Sequence, residues 1–126
     1  MRSQMIFEIY KRLYEIALKD FSDIVVKGEI LRLPSGAPLK LRLHLLDDSF
    51  VDVWISRDKY SYHWQRGNLV YRHDNAPHER WKFVKTFPKH FHDGSEENVV
   101  ESNISDKPEE AIREFLAFVR EKLTEK

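Results

Sequence analysis

Cysteine is absent from all 126 residues, and that absence removes several chemistries at once. There is no disulfide framework, no thiolate zinc site and no thiol nucleophile, a pattern that suits a reducing cytoplasm. Long apolar runs are missing too. The amino-terminal MRSQMIFEIYKRLYEIALKDF carries a charge every few residues, so it reads neither as a signal peptide nor as a membrane span. No linker and no internal repeat is visible, and the length fits a single domain over residues 1–126 with one core. Net charge is also lacking, with 21 basic residues against 21 acidic ones. The average conceals an asymmetry: basic to acidic counts run 8 to 8 over residues 1–56, 8 to 3 over 57–92 and 5 to 10 over 93–126. Either the middle of the chain faces a polyanion such as RNA, or it forms an internal dipole that the acidic tail neutralises by folding back.

What is present is strong periodicity. Ile6, Ile9, Tyr10, Leu13 and Ala17 fall at helical spacing, with Phe7, Tyr14 and Phe21 beside the same stripe, so the chain opens with a helix that needs a sheet to cover. Ile24 to Leu33 is rich in β-branched residues and predicts a strand, with Gly28 as a bulge or bend, before Pro34, Ser35, Gly36 and Pro38 force a loop. Leu39, Leu41, Leu43 and Leu45 then alternate with Lys40, Arg42 and His44, the period of a half-buried strand. Near the end, Asp106 and Glu109 have the spacing of a capping box, and Ile112, Phe115, Leu116, Val119 and Leu123 form the stripe of a terminal helix.

Registration follows from keeping one face apolar, because a one-residue slip turns every side chain over. With Asp47, Asp48 and Ser49 as a three-residue loop, Leu45 faces Val51, Leu43 faces Val53 and Leu41 faces Ile55. A two-residue turn at Arg57 and Asp58 pairs Ile55 with Tyr60, Val53 with Tyr62 and Val51 with Trp64, and a turn at Gly67 and Asn68 pairs Trp64 with Tyr71 and Tyr62 with His73. The fold expected is α+β in two layers: a predominantly antiparallel sheet of about five strands, with the amino- and carboxy-terminal helices on its apolar face. His90 to His92 lies on a short edge strand or a loop across the sheet's end, and Val99 with Val100 makes a brief final strand.

The opposite face collects the chemistry. Its rows read His44, Asp52, His63, Arg72 and then Arg42, Trp54, Ser61, Asp74, and it runs into the Asn75-Ala76-Pro77-His78 loop. Two imidazoles, a carboxylate and a guanidinium are the parts of metal-independent RNA cleavage. His63 or His78 would serve as base or acid, Arg72 as phosphate clamp, and Asp74 with Asn75 would orient the site. His44, Asp52, Asn75, His90 and His92 are the expected substrate contacts, and a solvated face of cross-strand ion pairs is the structural alternative. No cofactor is required, although His78, His90 and His92 could form a three-histidine metal site, since i and i+2 on an extended segment project to one side. Trp81, Phe83 and Phe87, interleaved with Arg80, Lys82 and Lys85, either close the core or stack bases.

Tyr60-Ser61-Tyr62-His63-Trp64, Arg72-His73-Asp74-Asn75-Ala76-Pro77-His78 and Thr86-Phe87-Pro88-Lys89-His90 with His92 following resemble the signature of the TumE-like toxins of prokaryotic toxin–antitoxin pairs. The resemblance spans about Tyr60 to His92 and the helix, sheet, helix order, and the DNAPH run is its most specific piece. Where this chain has Glu79 the family often has a second histidine, and where it has Lys89-His90 the family often has two in tandem. Those departures leave His78, His90 and His92 as the retained candidates. The resemblance implies a toxin role and a cognate DNA-binding antitoxin, expected to be a helix-turn-helix protein, while ribonuclease chemistry comes from the residues alone. The alternatives are a non-catalytic domain binding a protein partner or a second copy of itself, as a homodimer, and a metal-dependent hydrolase. Every reading places the protein in solution, in the cytoplasm, away from membranes.

Overall fold

An amphipathic helix and a run of alternating strands dictate the architecture. The computed structural model describes residues 2–125. Helix α1 (Arg2–Asp20) leads into strands β1 (Val25–Arg32), β2 (Pro38–Leu45), β3 (Phe50–Ser56), β4 (Lys59–Arg66) and β5 (Leu69–Asp74). A 3-10 turn (Glu79–Trp81) follows, then β6 (His90–Gly94), β7 (Val99–Glu101) and helix α2 (Pro108–Thr124). Among the described residues the strands form one seven-stranded antiparallel sheet in sequence order, β1 to β7. That is two strands more than the five expected, and β6 lies inside the sheet between β5 and β7 instead of at its edge. Among the described residues no helix is long and apolar enough to cross a membrane.

Both helices cover the same face. Tyr10, Leu13, Ile16 and Ala17 of α1 and Ile112, Phe115, Leu116 and Val119 of α2 share one buried cluster with Leu41, Leu43, Val51, Val53, Tyr62 and Trp64 of the sheet. Burying each of these large side chains contributes roughly 1.5–3 kcal/mol, which is why the alternation is obeyed so strictly. Trp64 is wholly buried, and its indole N–H is satisfied by Ser49 Oγ at 2.9 Å.

The pairings from β3 to β5 are those expected: Ile55 with Tyr60, Val53 with Tyr62, Val51 with Trp64, Trp64 with Tyr71 and Tyr62 with His73. Between β2 and β3 the register differs by two residues. Leu41 pairs with Val53 and Leu43 with Val51, so Asp52 stands opposite Arg42 and not His44. A shift of two preserves the buried face, so burial cannot choose between these registers and the turn decides. The three-residue loop is Leu46 to Asp48. Asp48 takes φ 71°, Leu45 bonds Ser49 across the loop, and the Asp47 carboxylate accepts the Ser49 N–H at 3.0 Å.

Two further expectations are corrected. Gly28 is not a bulge, since the register shifts of β1 fall between Val25 and Lys27 and between Leu31 and Arg32; it is where the Tyr14 ring packs, and a Cβ there would come within 2.8 Å of that ring. Asp106 does not cap α2 either: Lys107 is the N-cap, and Ser105 Oγ accepts its backbone N–H at 3.0 Å.

Tyr10 locks α1 to the sheet where the β2–β3 ladder has run out. Its hydroxyl accepts the Ile55 N–H at 2.9 Å and donates to the Leu39 carbonyl at 2.9 Å. Tyr10→Phe would strand a buried donor and acceptor. The expected loss is about 1–3 kcal/mol in urea unfolding, with the fold retained; an unchanged midpoint would show that water replaces the hydroxyl.

Candidate functional site

Because side chains alternate along a strand, β5 and β6 sort their residues onto two faces. Tyr71, His73 and Phe91 face the helices. Arg72 pairs with His92 and Asp74 with His90 on the other face, which the segment between β5 and β6 crosses. Trp81 of that segment lies over the two imidazoles, its ring 6.3 Å from His90 and 5.9 Å from His92. The result is a cleft of about 430 Å³ lined by Arg72, Asp74, His78, Glu79, Arg80, Trp81, His92, Glu96 and Glu97.

Asp74 is the hub of its floor. One oxygen, Oδ1, accepts the Ala76 N–H at 3.0 Å and lies 3.1 Å from His90 Nε2; the other, Oδ2, accepts Arg72 Nε–H at 2.9 Å and lies 3.8 Å from His92 Nε2. The loop bond explains why Asp must be followed by a short turn here, since Asp side chains bond readily to the backbone two residues on. Arg72 gives its two remaining arms to Glu96, at 2.7 and 3.1 Å, and reaches His63 Nδ1 at 3.4 Å.

The hydrogen bonds fix the imidazole tautomers. His90 Nδ1 is 2.9 Å from the Pro88 carbonyl and His92 Nδ1 is 2.9 Å from the Glu96 carbonyl. A carbonyl only accepts, so Nδ1 carries a proton in both rings, and in the neutral ring each Nε2 is left with a free lone pair close to Asp74. His90 Nε2 is buried without a hydrogen-bond partner despite its short distance to Asp74, because a proton on that nitrogen would not point at the carboxylate. Burial, reinforced by the charge of Arg72, holds His92 below the ordinary histidine range against the pull of the Glu96 carbonyl and Asp74. Burial likewise lowers His63, whose Nε2 donates to Gln65 at 3.0 Å.

The structure gathers Arg72, Asp74, His90 and His92 into one cluster, with His63 against Arg72 and His78 on the cleft wall. It separates the rest. His44 bonds Glu29 at 2.6 Å on the far side of the sheet, and Asp52 is held by Arg42 at 2.8 Å and Lys40 at 2.9 Å. Asn75 spends its amide on the backbone, donating to the Asp58 carbonyl at 2.7 Å and accepting the Tyr60 N–H at 3.0 Å. The three groups with converging metal-ligand atoms are Asp74, His90 and His92, all within 4.8 Å of one another; His78 is not one of them. Trp81 walls the cleft while Phe83 is 73% exposed, so this aromatic run only partly closes the core. Glu96 was not anticipated. Its signal was the acidic tail, because Arg72 pairs with Glu96, Arg80 with Glu97 and Lys89 with Asp106, which is the internal neutralisation that the charge asymmetry allowed.

A family model described as Toxin TumE matches residues 14–123, most of the chain. Neither the curated proteins nor the solved structures yield a match.

Next to the cleft but on the core face, His73 stacks on Phe91 at 4.2 Å and bonds Ser102 Oγ at 2.7 Å. Burial, helped by Lys89, pushes its pKa down to about 4. A histidine depressed on folding contributes stability that is complete above the unfolded value of about 6.5 and is lost as pH falls through the folded one. Urea unfolding from pH 7 to 4 should therefore show a one-proton loss of stability in the wild type that His73→Gln lacks; parallel curves would contradict the assignment.

Proposed function

The chain belongs to the Toxin TumE family, and from that premise we propose that it is the toxic member of a toxin–antitoxin pair and breaks phosphodiester bonds of RNA in the Arg72–His92 cleft. The observation that carries this reading is the convergence of the His92 imidazole, a carboxylate and a guanidinium in the lining of an accessible cleft with an aromatic wall, with His90 buried beside the carboxylate. Each part has a task. Trp81 offers a face on which a base stacks. Arg72 matches a phosphate in the fork that Glu96 now fills, and Glu96, exposed on the cleft side, is the group that would yield. His63 positions Arg72 through its Nδ1, and His78 stands on the wall within the same opening.

Two attacking groups fit this floor: the substrate's own 2′-hydroxyl with His92 as its base, or a water that an ion held by Asp74, His90 and His92 would supply. In the first, the 2′-oxygen attacks phosphorus as its proton passes to His92 Nε2, and the bond from phosphorus to the 5′-oxygen breaks. That oxygen takes a proton from His78, leaving a 2′,3′-cyclic phosphate and a 5′-hydroxyl. In the second the water would attack phosphorus in place of the 2′-oxygen, and the product would carry a linear phosphate. The family also implies an antitoxin partner, for which a helix-turn-helix protein remains our expectation, and a soluble cytoplasmic protein is the setting this chemistry requires. Homodimerisation through the sheet's polar face is the non-catalytic alternative.

Induced expression should arrest growth and create new RNA ends, and co-expression of the antitoxin should suppress both. Arg72→Ala and His92→Ala, folded by circular dichroism, should each reduce cleavage about 10²–10⁴-fold. Arrest without new RNA ends would overturn the RNA reading while leaving the toxin role in place.

A further inference from the structure

We propose that Asp74, His90 and His92 bind one divalent first-row transition-metal ion. The inference builds on reading this cleft as the site of chemistry, and it names the cofactor that site would use. His90 Nε2 lies 3.1 Å from Asp74 Oδ1 and His92 Nε2 lies 3.8 Å from Asp74 Oδ2, with all three ligand atoms inside 4.8 Å. An ion bound at about 2.0–2.2 Å spaces adjacent ligand atoms by about 3–3.5 Å, so small side-chain adjustments complete the set.

The Pro88 and Glu96 carbonyls hold the Nδ1 protons, so both Nε2 atoms are acceptors close to a carboxylate that is itself an acceptor. Such acceptors need something positive between them. A proton on His90 Nε2 would not serve, since that atom is fully buried and no hydrogen bond to Asp74 has the required direction. A cation at the common centre satisfies all three at once. The surroundings are those that orient ligands around an ion: each ring donates its other nitrogen to a carbonyl, and Asp74 is steadied by Arg72 and the Ala76 N–H.

The cleft lining carries Arg72 and Arg80 against Asp74, Glu79, Glu96 and Glu97, two positive groups against four negative, a formal −2 with the imidazoles neutral. That balance repels a phosphodiester and attracts a divalent ion, whose arrival would bring the lining to zero. Two imidazoles and one carboxylate suit zinc, cobalt, manganese or iron over magnesium or calcium, which prefer all-oxygen sets. Three protein ligands leave positions free on the cleft side, where a bound water would meet the substrate.

The test uses the full chain stripped with chelator and titrated with Co²⁺, followed by visible absorption and by the histidine ring signals in NMR. One equivalent should bind and be displaced by Zn²⁺. The ring signals of His90 and His92 should move while those of His44 and His78 stay, a readout that needs no variant. His90→Ala and His92→Ala should each weaken binding by about 100-fold or more, beyond the loss typical of an outer ligand-orienting group; His78→Ala should change little. No uptake, or uptake that leaves the His90 and His92 rings unmoved, overturns the metal site and leaves RNA cleavage to His92 acting alone. One equivalent bound at these rings without RNA cleavage establishes the ion and overturns the proposed reaction instead.

Discussion

Side-chain alternation on β5 and β6 is the constraint on which the rest depends. It places Tyr71, His73 and Phe91 under the helices, where they pack against Phe115 and Phe118, and for the same geometric reason sends Arg72, Asp74, His90 and His92 to the opposite face. The core and the candidate site are therefore two consequences of one register. A slip of one residue between these strands would drive the Arg72 and Asp74 side chains into the core and take the cleft apart. Such a slip is doubly penalised, by lost apolar burial and by buried unpaired charge.

On that frame Asp74 integrates the polar groups. A carboxylate that is nearly buried needs partners, and it finds a backbone N–H in its own loop, the Nε of Arg72 and the inward edges of two imidazoles. Arg72 in turn is shared between Asp74 and Glu96, so the guanidinium is preorganised by one acid and occupied by the other. The paired state accounts for a free protein whose cleft is electrostatically quiet around Arg72. It also accounts for how an incoming phosphate would compete: it would exchange one bidentate anion for another, losing little in the fork itself.

Much of this was legible in the sequence because it rests on local periodicity. Phe50 to Asp74 alternates so regularly that three strands and their pairings follow from it, and both helices follow from apolar stripes at helical spacing. What was not legible rests on chemistry that periodicity does not carry. The β2–β3 register, two residues away from the expected one, is decided by Asp47 holding Ser49 and by Asp48 adopting a positive φ, and both registers bury the same leucines. Moving that register carried His44 away to Glu29 and left Asp52 with two cations. The short segments His90–Gly94 and Val99–Glu101 are too brief for a clear period, so periodicity counts about five strands and leaves His90 to His92 between an edge strand and a loop. Tautomers set by the carbonyls of Pro88 and Glu96 have no sequence signal at all.

Those tautomers carry the central claim, that the Nε2 lone pairs of His90 and His92 are free beside Asp74. The most direct measurement is ¹⁵N NMR of the histidine rings in the metal-free protein at neutral pH, where chemical shifts distinguish a protonated ring nitrogen from one with a free lone pair. The account predicts protonated Nδ1 and unprotonated Nε2 for both His90 and His92. Protonation at Nε2 in either ring, as the neutral Nε2–H tautomer or as imidazolium, would contradict it.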